Sequence, residues 1–253
     1  MDKISKAQVK LIKSLQQKKF RDDLGLFVAE GEKCVDELRK GFELVQLYRE
    51  GENATRMEVE QMSGLRTPQG VIGVFKKRQI EDLRLKIEDL VLALDGIQDP
   101  GNLGTIIRTC DWFGVHDIFC SLDTADCYNP KVVQATMGAL ARVRVHYVDL
   151  PKWLKEPTPS LPKGKEMQID IYGTLLEGQN MYEVLANGQQ PIAKSPSIVV
   201  MGNEGNGISP EVRPLITHPL FIPPYPNKKA SEVIESLNVS IATAIVLAEF
   251  RRP

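Results

Sequence analysis

The chain has 253 residues, 42% of them apolar and 26% charged, and its 32 basic side chains against 33 acidic ones leave a formal net charge of −1. A chain of this length buries a full core as one large domain or two modest ones. With charge so balanced, any contact with a polyanion must come from local basic patches.

Residues 1–21 carry seven Lys or Arg and one acid, with Val9, Ile12 and Leu15 at helical spacing, which predicts a basic amphipathic helix. Its lysines either meet phosphates or form a solvated face. No apolar stretch follows this basic start, so no signal peptide is expected. Strand-like runs at 26–29, 43–48 and 71–75, a helix over 32–39 stopped by Gly41, and the turn Thr67-Pro68-Gln69-Gly70 predict a small α/β domain over residues 1–78. The charged stretch 79–89, which follows the basic run Lys76-Lys77-Arg78, reads as a linker or connecting helix.

From residue 90 the pattern changes. Apolar runs at 90–94, 118–122, 143–148, 169–174, 198–201 and 220–222 are separated by helical patterns at 103–113, 130–140 and 239–251. That alternation predicts a second domain over 90–253, a parallel sheet covered on both faces. The segment 151–164, with four prolines, reads as an exposed connection. Cys34, Cys110, Cys120 and Cys127 share no C-x-x-C or metal-ligand spacing, and His116, His146 and His218 are scattered. No metal site is expected, and the thiols suit a reduced, cytoplasmic protein. The longest apolar run, 241–250, is broken by Thr243 and Glu249 and is too short to span a bilayer.

Three segments carry the chemistry. The first, Asp95-Gly96-Ile97-Gln98-Asp99-Pro100-Gly101-Asn102-Leu103-Gly104 through Arg108, reads as strand, turn and helix, with Asn102 as N-cap. Leu103, Ile106, Ile107, Cys110 and Phe113 form the buried stripe and Arg108 lies opposite, where Gly104 is expected to leave room for a ligand. In the second, 198–201 runs into Gly202-Asn203-Glu204-Gly205-Asn206-Gly207, a strand-end turn of the kind that receives ligands in open α/β sheets. Its glycines are not spaced as G-x-G-x-x-G, and it lacks the Lys-Ser/Thr of a P-loop. Glu204 would repel a phosphate, so it suits a cationic ligand or a helix N-terminus. The third, Ser236-Leu237-Asn238, opens a helix apolar all round, which must be buried on every side, in the core or against a second subunit.

In this order and spacing the three segments resemble the SpoU (TrmH-like) RNA 2′-O-ribose methyltransferases of the SPOUT superfamily. The matches are Asn102, Gly104 and Arg108; Gly202, Glu204 and Gly207; and Ile222-Pro223 followed by Ser236 to Ser240, so the likeness covers residues 90–252. The resemblance implies a parallel-sheet SPOUT domain with a C-terminal trefoil knot, preceded by a small α/β RNA-binding domain of the ribosomal-protein L30e-like kind. It implies S-adenosylmethionine as cofactor, held in the knot by Met201, Gly202, Glu204, Gly207, Ile222, Ser236, Leu237 and Asn238. It assigns Arg108 to the ribose 2′-hydroxyl, with Asn102, Glu204, Ser236 and Asn238 around it, and it implies a homodimer through the knot and last helix. The RNA expected is ribosomal RNA ahead of transfer RNA, with Lys10, Lys13, Lys18, Lys19, Lys228 and Lys229 as phosphate contacts and Lys76-Lys77-Arg78 beside them. One departure is the segment 223–234, longer than usual in the family, with three prolines and two lysines. The competing reading is a non-catalytic RNA-binding protein on the same fold; a nucleotide-dependent oxidoreductase lacks its glycine fingerprint.

Overall fold

The computed structural model describes residues 4–78, 90–155, 169–187, 196–224 and 236–252. The linker 79–89, most of the connection 151–164 and the core of the departing segment, 225–235, lie outside these. The expected C-terminal knot is not shown among the described residues.

The N-terminal basic segment forms two helices rather than one. Helix α1 (Lys6–Ser14) starts in a capping box made by Ser5 and Gln8, and α2 (Lys18–Leu24) begins after Gln17 turns extended. The break is explained by Arg21, which is 1% exposed. Its Nη1 donates to the carbonyls of Leu15 (2.8 Å) and Gln16 (2.9 Å) at the end of α1. Its Nε and Nη2 donate to Asp126 Oδ2 at 3.1 and 2.6 Å. A buried cation thus satisfies the carbonyls left over at a helix end and pins both helices to the second domain.

Strands β1 (Leu26–Glu30), β2 (Leu44–Arg49) and β3 (Val71–Lys76) form an antiparallel sheet in the order β1-β3-β2. Helices α3 (Glu32–Leu38) and α4 (Arg56–Met62) accompany it. Helix α4 is absent from the sequence reading, although Thr55 and Glu58 form a capping box that marks its start.

Each cation of the basic run 76–78 has a partner within the molecule. Lys76 pairs with Glu43 at 2.6 Å, and Lys77 pairs with Asp22 at 2.6 Å and lies 5.1 Å over the Tyr128 ring. Arg78 stacks 4.6 Å from the Phe42 ring and donates to the carbonyls of Ala141 (2.6 Å) and Val143 (3.2 Å). Lys77, through Tyr128, and Arg78, through Ala141 and Val143, thus tie the first domain to the second, whereas Lys76 pairs within the first. Phe27, Phe42 and Tyr128 form an aromatic cluster across the same seam, with Phe27 5.0 Å from Phe42 and 4.8 Å from Tyr128. One core cluster accordingly includes Phe27, Val35 and Phe42 together with Val133, Leu140 and Leu92.

The second domain holds a six-stranded sheet of β4 (Leu90–Asp95), β5 (Asp117–Ser121), β6 (Arg144–Val148), β7 (Asp170–Asn180), β8 (Ser197–Gly202) and β9 (His218–Phe221). Their order is β6-β5-β4-β8-β7-β9, and every pairing is parallel. Successive side chains point to opposite faces. Leu92, Leu94, Val199 and Met201 face the core that carries α5 (Pro100–Trp112), α6 (Pro130–Thr136) and α9 (Val239–Phe250). Val91, Ala93, Ile198 and Val200 face the other side, against α7 (Leu150–Lys155). Helix α8 (Met181–Asn187) follows β7. The helix expected over 130–140 ends at Thr136, because Met137 turns left-handed (φ 51°) and a 3₁₀ turn, Ala139–Ala141, follows.

At the edge of the sheet, Asp117 accepts from Arg144 Nη2 (2.5 Å) and contacts His146 Nε2 (2.8 Å). Burial alone would raise its pKa, but the hydrogen bonds and charges of His146 and Arg144 outweigh it and hold the carboxyl at about 2. A carboxylate whose pKa is lower when folded stabilises the fold above its ordinary value of 3.8, and that contribution is lost as pH falls through about 2. The stability difference between wild type and Asp117→Asn, read from urea unfolding, should be constant above pH 4 and shrink between pH 4 and 2. Arg21→Met leaves Asp126 buried without its cation and should cost roughly 3–5 kcal/mol in the same assay.

Candidate active site

The carboxyl ends of β4 and β8 lie side by side, with Asp95 opposite Gly202. The turn after β8 folds tightly back. Asn203 and Gly207 exchange backbone hydrogen bonds of 2.9 and 2.8 Å, and Gly207 is left-handed at φ 68°. A Cβ on Gly202 would sit 2.3 Å from the Gly207 carbonyl carbon and 2.4 Å from the Ile208 nitrogen, so only glycine allows the fold-back. Asn203 Oδ1 accepts from the Gly205 and Asn206 amides (2.8 and 3.1 Å), while its Nδ2 donates to the Gly96 carbonyl at 2.7 Å. Asp95 Oδ2 accepts from the Ser209 amide at 2.7 Å. Two turns far apart in the chain are thereby stitched together. Neither Asn203 nor Asp95 was singled out from the sequence. The signal for Asn203 was the liking of Asn for bonding its own backbone two residues on.

Above this turn three predicted residues meet. Glu204 Oε1 accepts from Asn102 Nδ2 (2.9 Å), Asn238 Nδ2 (2.5 Å) and the Val239 amide (3.0 Å). Asn238 Nδ2 also donates to Asn102 Oδ1 at 3.0 Å. Of the two partners that suit an acid here, the structure supplies the helix N-terminus, since Val239 is the first residue of α9. Asn238 is the N-cap of that helix; its Oδ1 accepts from the Ser240 amide (3.0 Å), the Ser240 hydroxyl (2.6 Å) and the Ile241 amide (3.4 Å).

Asn102 is not the N-cap of α5. Asp99 caps it, accepting from the Asn102 amide at 2.8 Å, with Pro100 in the first turn where its missing N–H costs nothing. The Asn102 side chain is thus free for Glu204. Gly104 does not open space beside Arg108. It is buried against α6, where a Cβ would lie 2.4 Å from that of Ala135 and 2.9 Å from the Val132 carbonyl. Arg108 itself is exposed, ~9 Å further along the α5 axis than Asn102. Among the described residues it has no ion-pair or hydrogen-bond partner.

The remaining predicted residues take varied places. Ser236 and Leu237 are exposed just before α9, and Leu237 is 40% exposed. Ile222 is half-buried after β9 and packs on the core. Met201 is 1% exposed, its sulfur 3.8 Å from the Thr174 hydroxyl, so its side chain belongs to the core and only its backbone can face a ligand. Lys10, Lys13 and Lys19 are exposed on the first two helices, Lys18 pairs with Asp22 at 2.5 Å, and none of them contacts the Glu204 cluster. Lys228 and Lys229 lie outside the described residues.

All four cysteines are buried and free; burial pushes the Cys34 thiol up to about 11 and that of Cys127 to about 12, which makes both inert. Among the described residues no group of His, Cys, Asp or Glu is placed to hold a metal, and no helix is long and apolar enough to cross a membrane.

Comparison with known proteins adds a family. The model of the SpoU rRNA methylase family matches residues 89–248, and that of an MRM3-like substrate binding domain matches residues 6–73. The chain is 29% identical over 260 residues to the 23S rRNA (guanosine(2553)-2′-O)-methyltransferase RlmP of Bacillus subtilis, with 96% of each chain covered. A Porphyromonas gingivalis structure described as a TrmH-family RNA methyltransferase superposes with a TM-score of 0.82 at 35% identity, over 98% of both chains. An AdoMet-bound rRNA methyltransferase from Sinorhizobium meliloti gives 0.81 at 28%, over 100% of this chain and 97% of its own.

Gly202→Ala should force the fold-back open. The expected cost is roughly 1–3 kcal/mol, typical of overpacking, measured as a shift in the urea midpoint.

Proposed function

Because the chain belongs to the SpoU rRNA methylase family, we propose that it transfers a methyl group from S-adenosylmethionine to a ribose 2′-hydroxyl of structured RNA, ribosomal RNA ahead of transfer RNA. The observation that carries this reading is the meeting of Asn102, Glu204 and Asn238, one from each chemical segment, at the carboxyl edge of the sheet, with the exposed Arg108 on the same helix as Asn102 and without a partner among the described residues. Ribosomal RNA is favoured by the named activity of the Bacillus relative and by the match of residues 6–73 to a substrate binding domain.

The residues suit the cofactor. Gly205, Asn206 and Gly207 present exposed backbone in the fold-back turn, and the half-buried Ile222 and exposed Leu237 offer apolar surface for a planar base. When bound, S-adenosylmethionine supplies an electrophilic methyl group. The protein's part is placement of the hydroxyl in line with that methyl. A guanidinium donates hydrogen bonds and has no acceptor to offer, so Arg108 does not take the hydroxyl proton. Its guanidinium holds the neighbouring phosphate and stabilises negative charge growing on the 2′-oxygen, and the proton leaves by another route.

A second copy of the chain completes the assembly. Helices α5 and α9 pack together, and Ile241 on α9 is 53% exposed. Ile241 leaves part of an otherwise apolar last helix for that second copy to cover. The family's C-terminal trefoil knot and a cytoplasmic setting for the four free thiols belong to the same reading.

Arg108→Ala should lower methyl transfer to ribosomal RNA by ~10²–10³, as expected for loss of one charge-stabilising group, while calorimetry finds cofactor affinity nearly unchanged. Cofactor affinity falling in parallel with transfer would overturn the role given to Arg108. A protein that binds RNA but no S-adenosylmethionine would overturn the methyltransferase reading itself.

A further inference from the structure

One oxygen of Glu204 is filled from three directions. Its Oε1 takes the side-chain amides of Asn102 and Asn238 and the backbone amide of Val239, at 2.9, 2.5 and 3.0 Å. The third side of the triangle, Asn238 Nδ2 to Asn102 Oδ1, is closed at 3.0 Å. The partners come from α5, from the residue that caps α9, and from the first residue of α9, and Asn102 and Asn238 are 136 positions apart in the chain.

The Asn238 amide is held at both ends. Its oxygen caps α9 through Ser240 and Ile241, and its nitrogen is turned to Glu204 and Asn102. A carboxylate is acceptor-only, so Oε1 suits three converging donors, and a negative group is favoured at the start of a helix. Oε1 is therefore already committed to the protein. Oε2 takes no part in these three bonds.

We infer that Glu204 is a positioning residue: its carboxylate oxygen latches the first turn of α9, and with it the Ser236-Leu237-Asn238 segment, onto α5 and the turn after β8. Its contribution is hydrogen-bond acceptance at Oε1, neither a negative charge offered to the cationic methyl donor nor a base offered to the hydroxyl. The latch matters for catalysis only if the methyltransferase reading holds, but its structural part stands apart from that reading.

The two classes of role respond differently to a neutral isostere. Glu204→Gln keeps an acceptor oxygen for the three donors and removes the charge; Glu204→Ala removes both. The measurements are hydrogen exchange of the Val239 amide and calorimetric titration with S-adenosylmethionine, on the full chain, with methyl transfer as a third arm. Glu204→Ala should lose protection at Val239 and cofactor affinity by about tenfold or more, the scale of a lost hydrogen bond to a charged group. Glu204→Gln should rescue most of both losses, with transfer rising alongside. Two results overturn the inference: Glu204→Gln failing in cofactor affinity or transfer as badly as Glu204→Ala while Val239 stays protected, or Glu204→Ala keeping protection and affinity. If the wild-type chain neither binds the cofactor nor methylates RNA, the methyltransferase reading fails, and the exchange of Val239 in the two variants still decides the latch.

Discussion

The parallel pairing of β4 with β8 is the constraint on which the site rests. The two strands are central in the sheet, buried on both faces, and matched residue for residue from Leu90 opposite Ser197 to Asp95 opposite Gly202. A slip by one residue would send each apolar side chain to the wrong face, so packing fixes the register. Register in turn fixes where the strands end. The two turns that leave them begin at the same height, and their polar backbone groups have to be satisfied by one another. Asn203 to Gly96 and Ser209 to Asp95 are that satisfaction.

From this edge the rest follows by short steps. Gly202 lets the chain reverse at once, which lifts Glu204 above the sheet instead of carrying it away. Asp99 and Pro100 start α5 early enough that Asn102 lies in its first turn, facing the same space. Helix α9 then arrives with its N-terminus at the carboxylate. A helix this apolar is insoluble alone and is driven to the core by burial of Val246, Leu247 and Phe250. Burial alone does not set its position along its axis. The polar triangle of Asn102, Glu204 and Asn238 does, because an amide and a carboxylate bond only at fixed distance and angle.

Much of this was legible in the sequence, and the reasons differ by residue. Strand positions followed from continuous apolar runs, since the central strands of a parallel sheet are buried on both faces. Helices α4, α7 and α8 did not show, and α7 turns the start of the stretch expected as an exposed connection into a helix that buries Leu150 and Leu154. The meeting of Asn102, Glu204 and Asn238 was foreseen only through family resemblance, because no local rule joins residues 34 to 136 positions apart. Local rules misled where a residue serves a neighbour in space. Asn102 has the chemistry of an N-cap, but Asp99 with the following proline has a better claim. Gly104 resembled an opening and is a contact with α6. Arg21 and Arg78 belong to basic runs that resembled a polyanion surface, yet Asp126 and main-chain carbonyls take these two charges inside the molecule, while Lys76 and Lys77 pair nearer the surface with Glu43 and Asp22. Charge pattern reports how many cations a segment has, and only the fold says which are already spent.

Those inward cations change how the two domains work together. The loop after β5 holds Arg21 of α2 through Asp126 and stacks Tyr128 on Phe27 of β1. The same loop meets the first turn of the site, with the Ala125 amide on the Ile97 carbonyl and the Ser121 hydroxyl accepting from Gly96, both at 2.8 Å. One short segment is thus bonded on one side to the first domain and on the other to the turn that carries Asn102. Two domains on a loose tether would meet a substrate at an effective concentration set by the linker, with orientation still to be paid for. Domains that share a core and a common loop have fixed that orientation during folding. Under the proposed function, an RNA held by the first domain meets the second in an orientation that the seam between them has already set.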